Sequence, residues 1–199
     1  MGILKTIMAT ISVNELDTNK ISLTPPVAAA KGGMEICKIL YDQAQPLTLT
    51  LAQDLCLTCP FQPSAYKAVG SEERLGIVIR ATDEMYECFV ALEEQCQKIL
   101  QADGIEQVDT LWCKSTREDD FGKALRANIN ITGSRAADFW DSSNQETKAP
   151  EDFKAISFNA LCQVRGVYMM KASMGLLLDI RSIQYNTETK PKLSPFSKP

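Results

Sequence analysis

One stretch of helical periodicity lies between segments of strand periodicity, and this change of period constrains the fold more than any other feature. Apolar residues recur at spacings of four, three, four and three, which is the apolar stripe of an amphipathic helix. These residues are Met85, Phe89, Leu92, Cys96 and Ile99. Thr82 is suited to the N-cap, and Asp83 and Glu84 lie where the helix dipole favours negative charge. The pattern predicts one helix over residues 83–101.

Period-two alternation precedes and follows this helix, which is typical of strands with one buried face. The alternation is clearest in Pro46–Leu51, Arg74–Ala81 and Leu125–Thr132. Two long β-rich runs near the end, 158–171 and 176–185, are predicted to form a hairpin through 172–175. Further strands are predicted at Ile7–Val13, Lys20–Leu23, Met34–Tyr41 and Leu111–Ser115.

This order of elements predicts a mainly β chain with one prominent helix, an α+β fold. Several strands, one helix and then closing strands are typical of an OB-fold-like Greek-key barrel, here with extensions. We expect one domain over residues 1–185, including the N-terminal strands. Residues 141–152 have no apolar period and are predicted to form a mobile loop. The tail 186–199 contains three prolines and is predicted to be disordered.

The chain contains no histidine, and this excludes several classes of enzyme and metal site. Ser-His-Asp and Cys-His activation of a nucleophile both need imidazole, and so does any site with histidine ligands. No P-loop or Rossmann glycine pattern occurs, and the adjacent acidic pairs give no sign of converging in a pocket. We therefore expect no enzymatic activity and no cofactor.

The seven cysteines are odd in number and irregularly spaced, so they are predicted to be reduced thiols without a metal. Cys56 and Cys59 form a lone CxxC pair, which lacks the further ligands that zinc requires. An intracellular, reducing compartment is expected, the host nucleus or cytoplasm if the protein is viral. No apolar run reaches the length of a membrane span. Gly2 fits a loose myristoylation pattern, and an N-terminal strand is the favoured alternative.

Four stretches between residues 46 and 185 resemble, in this order, the OB-fold single-stranded-DNA-binding proteins of large DNA viruses and phages. They are Pro46–Phe61 with its Pro-Phe loop, Arg74–Ala81 with the following helix, Trp112–Ser115 with Leu125–Ile129, and Val164–Tyr168 with Gly175–Gln184. The resemblance implies a protein that coats and protects single-stranded DNA with little sequence specificity during replication, recombination or repair. Many such proteins end in an acidic tail, whereas this chain ends in a basic one, so tail-mediated recruitment of replication partners is in doubt.

Binding a single strand without sequence preference requires cations along the phosphates and aromatic faces for the bases. Both occur together in two segments of this chain, 112–126 and 165–181. The candidate nucleic-acid-binding residues are Trp112, Lys114, Arg117, Phe121, Lys123, Arg126, Arg165, Tyr168, Lys171 and Arg181. Arg126 falls on the polar side of its strand, opposite Leu125 and Ala127. Tyr66 and Lys67 form a second, weaker pair. The net charge of −4 allows a local basic groove on an acidic body.

Purely structural roles can also account for these aromatic and basic residues. A lone aromatic such as Trp112, Phe121 or Trp140 often belongs to the core, and cations along a strand often only solvate its outer face. A structural or protein-interaction β-barrel, such as a virion component, fits the composition equally well. RNA in place of DNA, replication or recombination proteins as partners, and a homo-oligomer are also compatible with the sequence. No membrane partner is expected.

Overall fold

The computed structural model describes residues 9–29, 33–42, 45–52, 54–65, 74–120, 122–133 and 136–186. The strands in these ranges are β1 Ala9–Ser12, β2 Ile21–Leu23, β3 Val27–Ala28, β4 Glu35–Tyr41, β5 Gln45–Thr50, β6 Ser64–Ala65, β7 Arg74–Arg80, β8 Thr116–Asp119, β9 Gly122–Asn130, β10 Asp138–Asp141, β11 Phe158–Met170 and β12 Ser173–Tyr185. The helices are α1 Asp83–Ala102 and α2 Val108–Leu111, with 3-10 turns at Val13–Glu15 and Thr18–Lys20. The predictions for Gly2 and for the tail from residue 187 onward concern residues outside these ranges.

The strands form one mixed sheet in the order β1-β5-β4-β11-β12-β9-β7-β6, with β10 beside β12, β2 and β3 beside β4, and β8 beside β9. The pairs β1–β5, β10–β12 and β9–β12 are parallel, and the other pairs are antiparallel. Within the described residues this path has two free ends, so the ladders there do not close the sheet into the expected barrel. The segment that follows β5 links β11 to β7 through two isolated bridges: Leu57 pairs with Phe158 of β11, and Thr58 pairs with Arg80 of β7. The predicted mainly β, OB-like α+β class with one main helix is confirmed.

The core is formed by the buried face of this sheet together with the apolar stripe of helix α1. Thr82 caps the helix by accepting a hydrogen bond from the Met85 backbone N–H at 3.2 Å, as predicted. The predicted stripe of the helix is buried at Met85, Phe89, Leu92 and Cys96, which belong to the same hydrophobic core as the buried residues of β5, β7 and β9. Because the inner face of the central strands is buried in this core, the opposite, outer face is left for a ligand.

The long hairpin β11–β12 keeps its apolar face inward across two β-bulges. Along β11 the buried side chains are at even-numbered positions up to Val164 and at odd-numbered positions from Val167, and the extra residue that shifts the parity is Arg165. The bulge in β12 lies at Arg181, between the pairs Leu161–Ser182 and Cys162–Ile180. A bulge inserts one extra residue and re-aims the side chains beside it, so the apolar residues on both sides of each bulge can face the core. Both arginines therefore lie at positions that the core does not use.

Two local predictions are wrong. Leu111–Ser115 is not a strand: Val108–Leu111 forms a short helix whose Val108 is buried, and strand β8 begins only at Thr116. Trp112 makes a single bridge, to Met174. The hairpin turn occupies residues 171–172 and not 172–175, because Ser173 already pairs with Met170. The turn residues Lys171 and Ala172 are not the Gly, Asn or Asp that usually mark a tight hairpin, so the sequence gives no signal for the turn's position.

Candidate nucleic-acid interface

The outer face of the sheet is continuous across four neighbouring strands. In β9 the residues Leu125 and Ala127 are buried whereas Arg126 is exposed, as the alternation predicts. Register pairs Gly76 of β7 with Asn128 of β9, Asn128 with Asp179 of β12, and Asp179 with Gln163 of β11. Residues that face outward on these strands therefore share one surface.

A groove of about 460 Å³ opens on this face where β9 and β12 separate, and we call it the basic groove. Strands β9 and β12 pair through only two residues each, 128–129 with 179–180, so the chains diverge beyond that point. The groove is lined by Met34, Arg74, Cys113, Lys114, Ser115, Arg126, Ala127, Asn128, Tyr168, Met170 and Leu176–Leu178. Three cations and one tyrosine contribute to this lining, and none of the described carboxylates does.

The wall of the basic groove that carries Lys114 is held by a buried carboxylate of α1. Glu93 is 3% exposed and accepts hydrogen bonds from the Ser115 N–H at 2.6 Å, the Ser115 hydroxyl at 2.5 Å and the Thr116 hydroxyl at 3.1 Å. Burial raises the pKa of Glu93, while the bonds from Ser115 and Thr116 and the charge of Lys114 oppose that rise. The Ser115 carbonyl in turn accepts from the Arg126 N–H at 2.8 Å. Glu93 thus fixes the backbone between two of the groove's cations.

A second groove, of about 370 Å³, lies beside the first on the same face, and we call it the side groove. Lys38 and Arg165 contribute the charged groups of its lining. Arg165 donates to Asp179 at 3.0 Å, and Arg74 of the basic groove lies 3.7 Å from the same carboxylate. Asp179 therefore joins the two grooves and fixes a cation in each.

The structure brings several of the predicted residues together. Lys114, Arg126 and Tyr168 line the basic groove, although they come from the α2–β8 connection, β9 and β11 respectively. Arg165 lines the side groove, and Lys171 lies at the hairpin turn beside the basic groove's Met170. Arg181 is half-buried at the β12 bulge. The role of each in binding remains a prediction.

Other predicted residues lie elsewhere. Trp112 packs against the hydrophobic core, and its buried indole N–H has no hydrogen-bond acceptor within the described residues. Arg117 pairs with Asp119 at 3.1 Å. Lys123 donates to Asp83 at 2.8 Å, which raises the pKa of Lys123, and it also lies 5.0 Å from the ring centre of Tyr86. The predictions for Phe121, Tyr66 and Lys67 concern residues outside the described ranges.

Two cations of the grooves were not among the predicted site residues. Arg74 begins β7, whose alternation buries Ile77 and Ile79, so its outward position could have been found from the sequence. Lys38 lies in β4 between the buried residues Cys37 and Ile39. Their proximity to the hairpin depends on pairing over long distances in sequence, which a local pattern does not contain.

The cysteines are all free in this structure. Burial raises the pKa of Cys59 to about 12, of Cys88 to about 11 and of Cys96 to about 12. These thiols therefore stay protonated at neutral pH. Within the described ranges, no group of three or more cysteine and acidic side chains is placed to hold a metal ion. None of the helices described is long and apolar enough to cross a membrane.

No protein-family model and no curated protein matches the chain. Among solved structures, the neighbours are phage single-stranded-DNA-binding proteins, the class that the sequence resembles. The bacteriophage T7 protein gp2.5 is 11% identical with a TM-score of 0.48, over 74% of this chain and 97% of that chain. The bacteriophage Enc34 protein, truncated at its C-terminus, is 12% identical with a TM-score of 0.46, over 82% and 95%. The same Enc34 protein in complex with ssDNA is 13% identical, with a TM-score of 0.45, over 80% and 94%. Since identity and TM-scores are low, the assignment of a site rests on this chain's own geometry.

Proposed function

We propose that this chain binds single-stranded DNA on the outer face of its sheet, with little preference for base sequence. The observation that carries the proposal is the basic groove, where Lys114, Arg126 and Arg74 come together around Tyr168 without a described carboxylate in the lining. Cations there neutralise phosphates, and the tyrosine offers a face for a base. The side groove extends the row of cations through Arg165.

The rest of the lining favours a single strand over a duplex. Met34, Met170 and Leu176–Leu178 give the basic groove an apolar floor beside its cations. In a duplex the base faces are stacked inside the helix, and only phosphates and base edges are available. In a single strand the base faces are free to contact aromatic and apolar side chains. Unstacked bases are therefore the ligand that matches this combination.

We further propose that the protein coats single-stranded DNA during replication, recombination or repair and has no enzymatic activity. RNA is the alternative polymer, and replication or recombination proteins are the proposed further partners. The free cysteines support a reducing, intracellular compartment. Self-association along the coated strand is part of the same proposal.

Fluorescence polarisation tests the central claim. Labelled oligothymidylate and a labelled duplex of equal length are titrated with the protein at several salt concentrations. We expect much tighter binding of the single strand, weakening as salt rises. A single-stranded RNA of the same length measures the alternative polymer. Equal or tighter binding of the duplex would overturn the proposal, and absence of binding at low salt would favour the protein-interaction alternative.

A further inference from the structure

A third groove on the outer face, of about 500 Å³, has no charged side chain among the described residues that line it, and we call it the amide groove. Its hydrogen-bonding side chains are Thr50, Asn144, Asn159, Ser182 and Gln184, and its aromatic residue is Trp140. Its volume is in the range of grooves that hold small organic groups. Such a neutral lining is unsuited to phosphate.

The amide groove lies on the same face as the two cationic grooves. Leu161 lines the amide groove and Gln163 lines the side groove, and residues two apart on a strand face the same way. Arg181 directly precedes Ser182 of the lining. A strand that follows the cations along the β11–β12 hairpin therefore reaches the amide groove.

The amide side chains are held in fixed positions by one another. Asn159 accepts from the Leu55 N–H at 2.6 Å and donates to Gln184 at 3.4 Å. Gln184 donates to the side chain of Asn144 at 2.8 Å and to the Asp141 carbonyl at 3.3 Å. These bonds use the Asn144 side-chain oxygen as an acceptor, and among the described residues its NH₂ group remains available as a donor at the edge of the groove.

The turn that carries Asn144, within the segment 141–152 that the sequence predicts to be a mobile loop, is held by its own hydrogen bonds. The Asp141 carboxylate accepts from the backbone N–H groups of Ser143 at 2.8 Å and Gln145 at 2.9 Å. Asn144 has a φ of 61°, a left-handed conformation that asparagine tolerates better than most residues. Trp140, at the end of β10, pairs with Gln184 and bridges to Glu146. These contacts thus position the indole and the amides around the groove.

We propose that the amide groove is a nucleobase subsite, in which Trp140 stacks on one base of the bound strand and Asn144 hydrogen-bonds to its edge. A neutral, flat, heteroaromatic ring with donors and acceptors around its edge matches an indole face beside an uncharged row of amides. This inference rests on the proposed function, because the neighbouring cations hold the phosphates that bring the base to the groove.

Tryptophan fluorescence provides the test, since Trp112 and Trp140 are the two tryptophans of the chain. The Trp112→Phe variant keeps Trp140 as the sole reporter, and it removes an indole N–H that has no acceptor among the described residues. We expect unlabelled oligothymidylate to quench Trp140 emission in parallel with binding measured by polarisation. An abasic phosphodiester of the same length should bind more weakly and leave the emission unchanged.

A second pair of variants tests the subsite in the otherwise unaltered chain. Trp140→Ala should weaken binding of oligothymidylate by about 5- to 150-fold at every salt concentration, which is the usual effect of losing one stacked base. Asn144→Ala should also weaken binding, whereas Ser143→Ala, in the same turn but outside the lining, should not. Circular dichroism and thermal melting check that each variant folds.

These experiments distinguish failure of the nucleobase subsite from failure of the proposed DNA binding. Saturable binding by polarisation with unchanged Trp140 emission, or equal quenching by the abasic polymer, would overturn the subsite and leave DNA binding intact. Equal affinities of Asn144→Ala and Ser143→Ala would also overturn the role of Asn144, even if Trp112→Phe does not fold. Absence of any binding to the unaltered chain would overturn both proposals.

Discussion

Lys114 and Arg126 differ from the nearby cations Arg117 and Lys123 in whether a carboxylate lies against them. Arg117 and Lys123 each lie against a carboxylate, at 3.1 Å and 2.8 Å. Lys114 and Arg126 are exposed, and no ion pair to either is present within the described residues. A paired cation must give up its partner to bind phosphate, whereas an unpaired one releases only water and counterions. We therefore expect Lys114 and Arg126 to contribute most to phosphate binding.

Replacing either residue by alanine should change the salt dependence of binding to oligothymidylate. For a single strand, each phosphate that the protein no longer neutralises should reduce the slope of log affinity against log salt by about 0.7. Polarisation titrations over a series of salt concentrations measure that slope. Lys98→Ala, which removes a charge from the exposed side of α1, is the control of equal charge. Parental slopes in both Lys114→Ala and Arg126→Ala would show that the basic groove is not the site.

Glu93 makes the stability of the fold depend on pH. Burial raises its pKa above that of the unfolded chain, so protonation favours the folded state. The resulting stability is fully present below the ordinary carboxyl pKa of about 4.3 and is lost as the pH rises through the folded value. Glu93→Gln cannot ionise. The wild type should therefore gain stability relative to this variant as the pH falls from about 7 to about 4, as measured by urea unfolding. Parallel pH profiles would contradict this role for Glu93.

At the scale of elements, Gly166 determines how closely β11 approaches β4. It pairs with Lys38, and a Cβ at this position would overlap the backbone carbonyl of Cys37. Backbone atoms cannot rotate away as a side chain would, so β4 must shift outward. Gly166→Ala should lower the free energy of unfolding by about 1–3 kcal/mol, the usual cost of overpacking. It should also speed hydrogen exchange of the β4 amides. An unchanged unfolding midpoint would contradict the close packing.

The elements that local periodicity determines were predictable. Helix α1 and strands β7 and β9 each bury one face, and their apolar residues repeat at the period of that face. The position of Trp112 was not predictable, because an aromatic residue packs equally well in a core or under a base. The basic groove was only partly predictable. Its cations Lys114 and Arg126 were found because cations and aromatic residues cluster in their segment. The groove itself opens where the short pairing of β9 with β12 ends, and this pairing joins segments about fifty residues apart in sequence.

At the scale of the whole molecule, charge is distributed unevenly between surfaces. The chain has 25 acidic and 21 basic residues and a net charge of −4. The described residues that line the basic groove and the side groove nevertheless include cations and no carboxylate. Local potential steers a polyanion more strongly than net charge does. An acidic molecule can therefore bind DNA on one face while its other surfaces repel the strand.

This distribution limits how steeply binding can depend on salt. The described residues of the two linings include five cations, Lys38, Arg74, Lys114, Arg126 and Arg165, and Asp179 offsets one charge between the two arginines that it contacts. About four phosphates neutralised on a single strand correspond to a slope of about −3. Affinity for oligothymidylate should thus fall roughly 50-fold between about 50 and 200 mM salt. Polarisation across this range of salt concentrations measures the slope. A slope steeper than about −5 would require cations beyond the outer face, and a flat one would mean that phosphate binding contributes little.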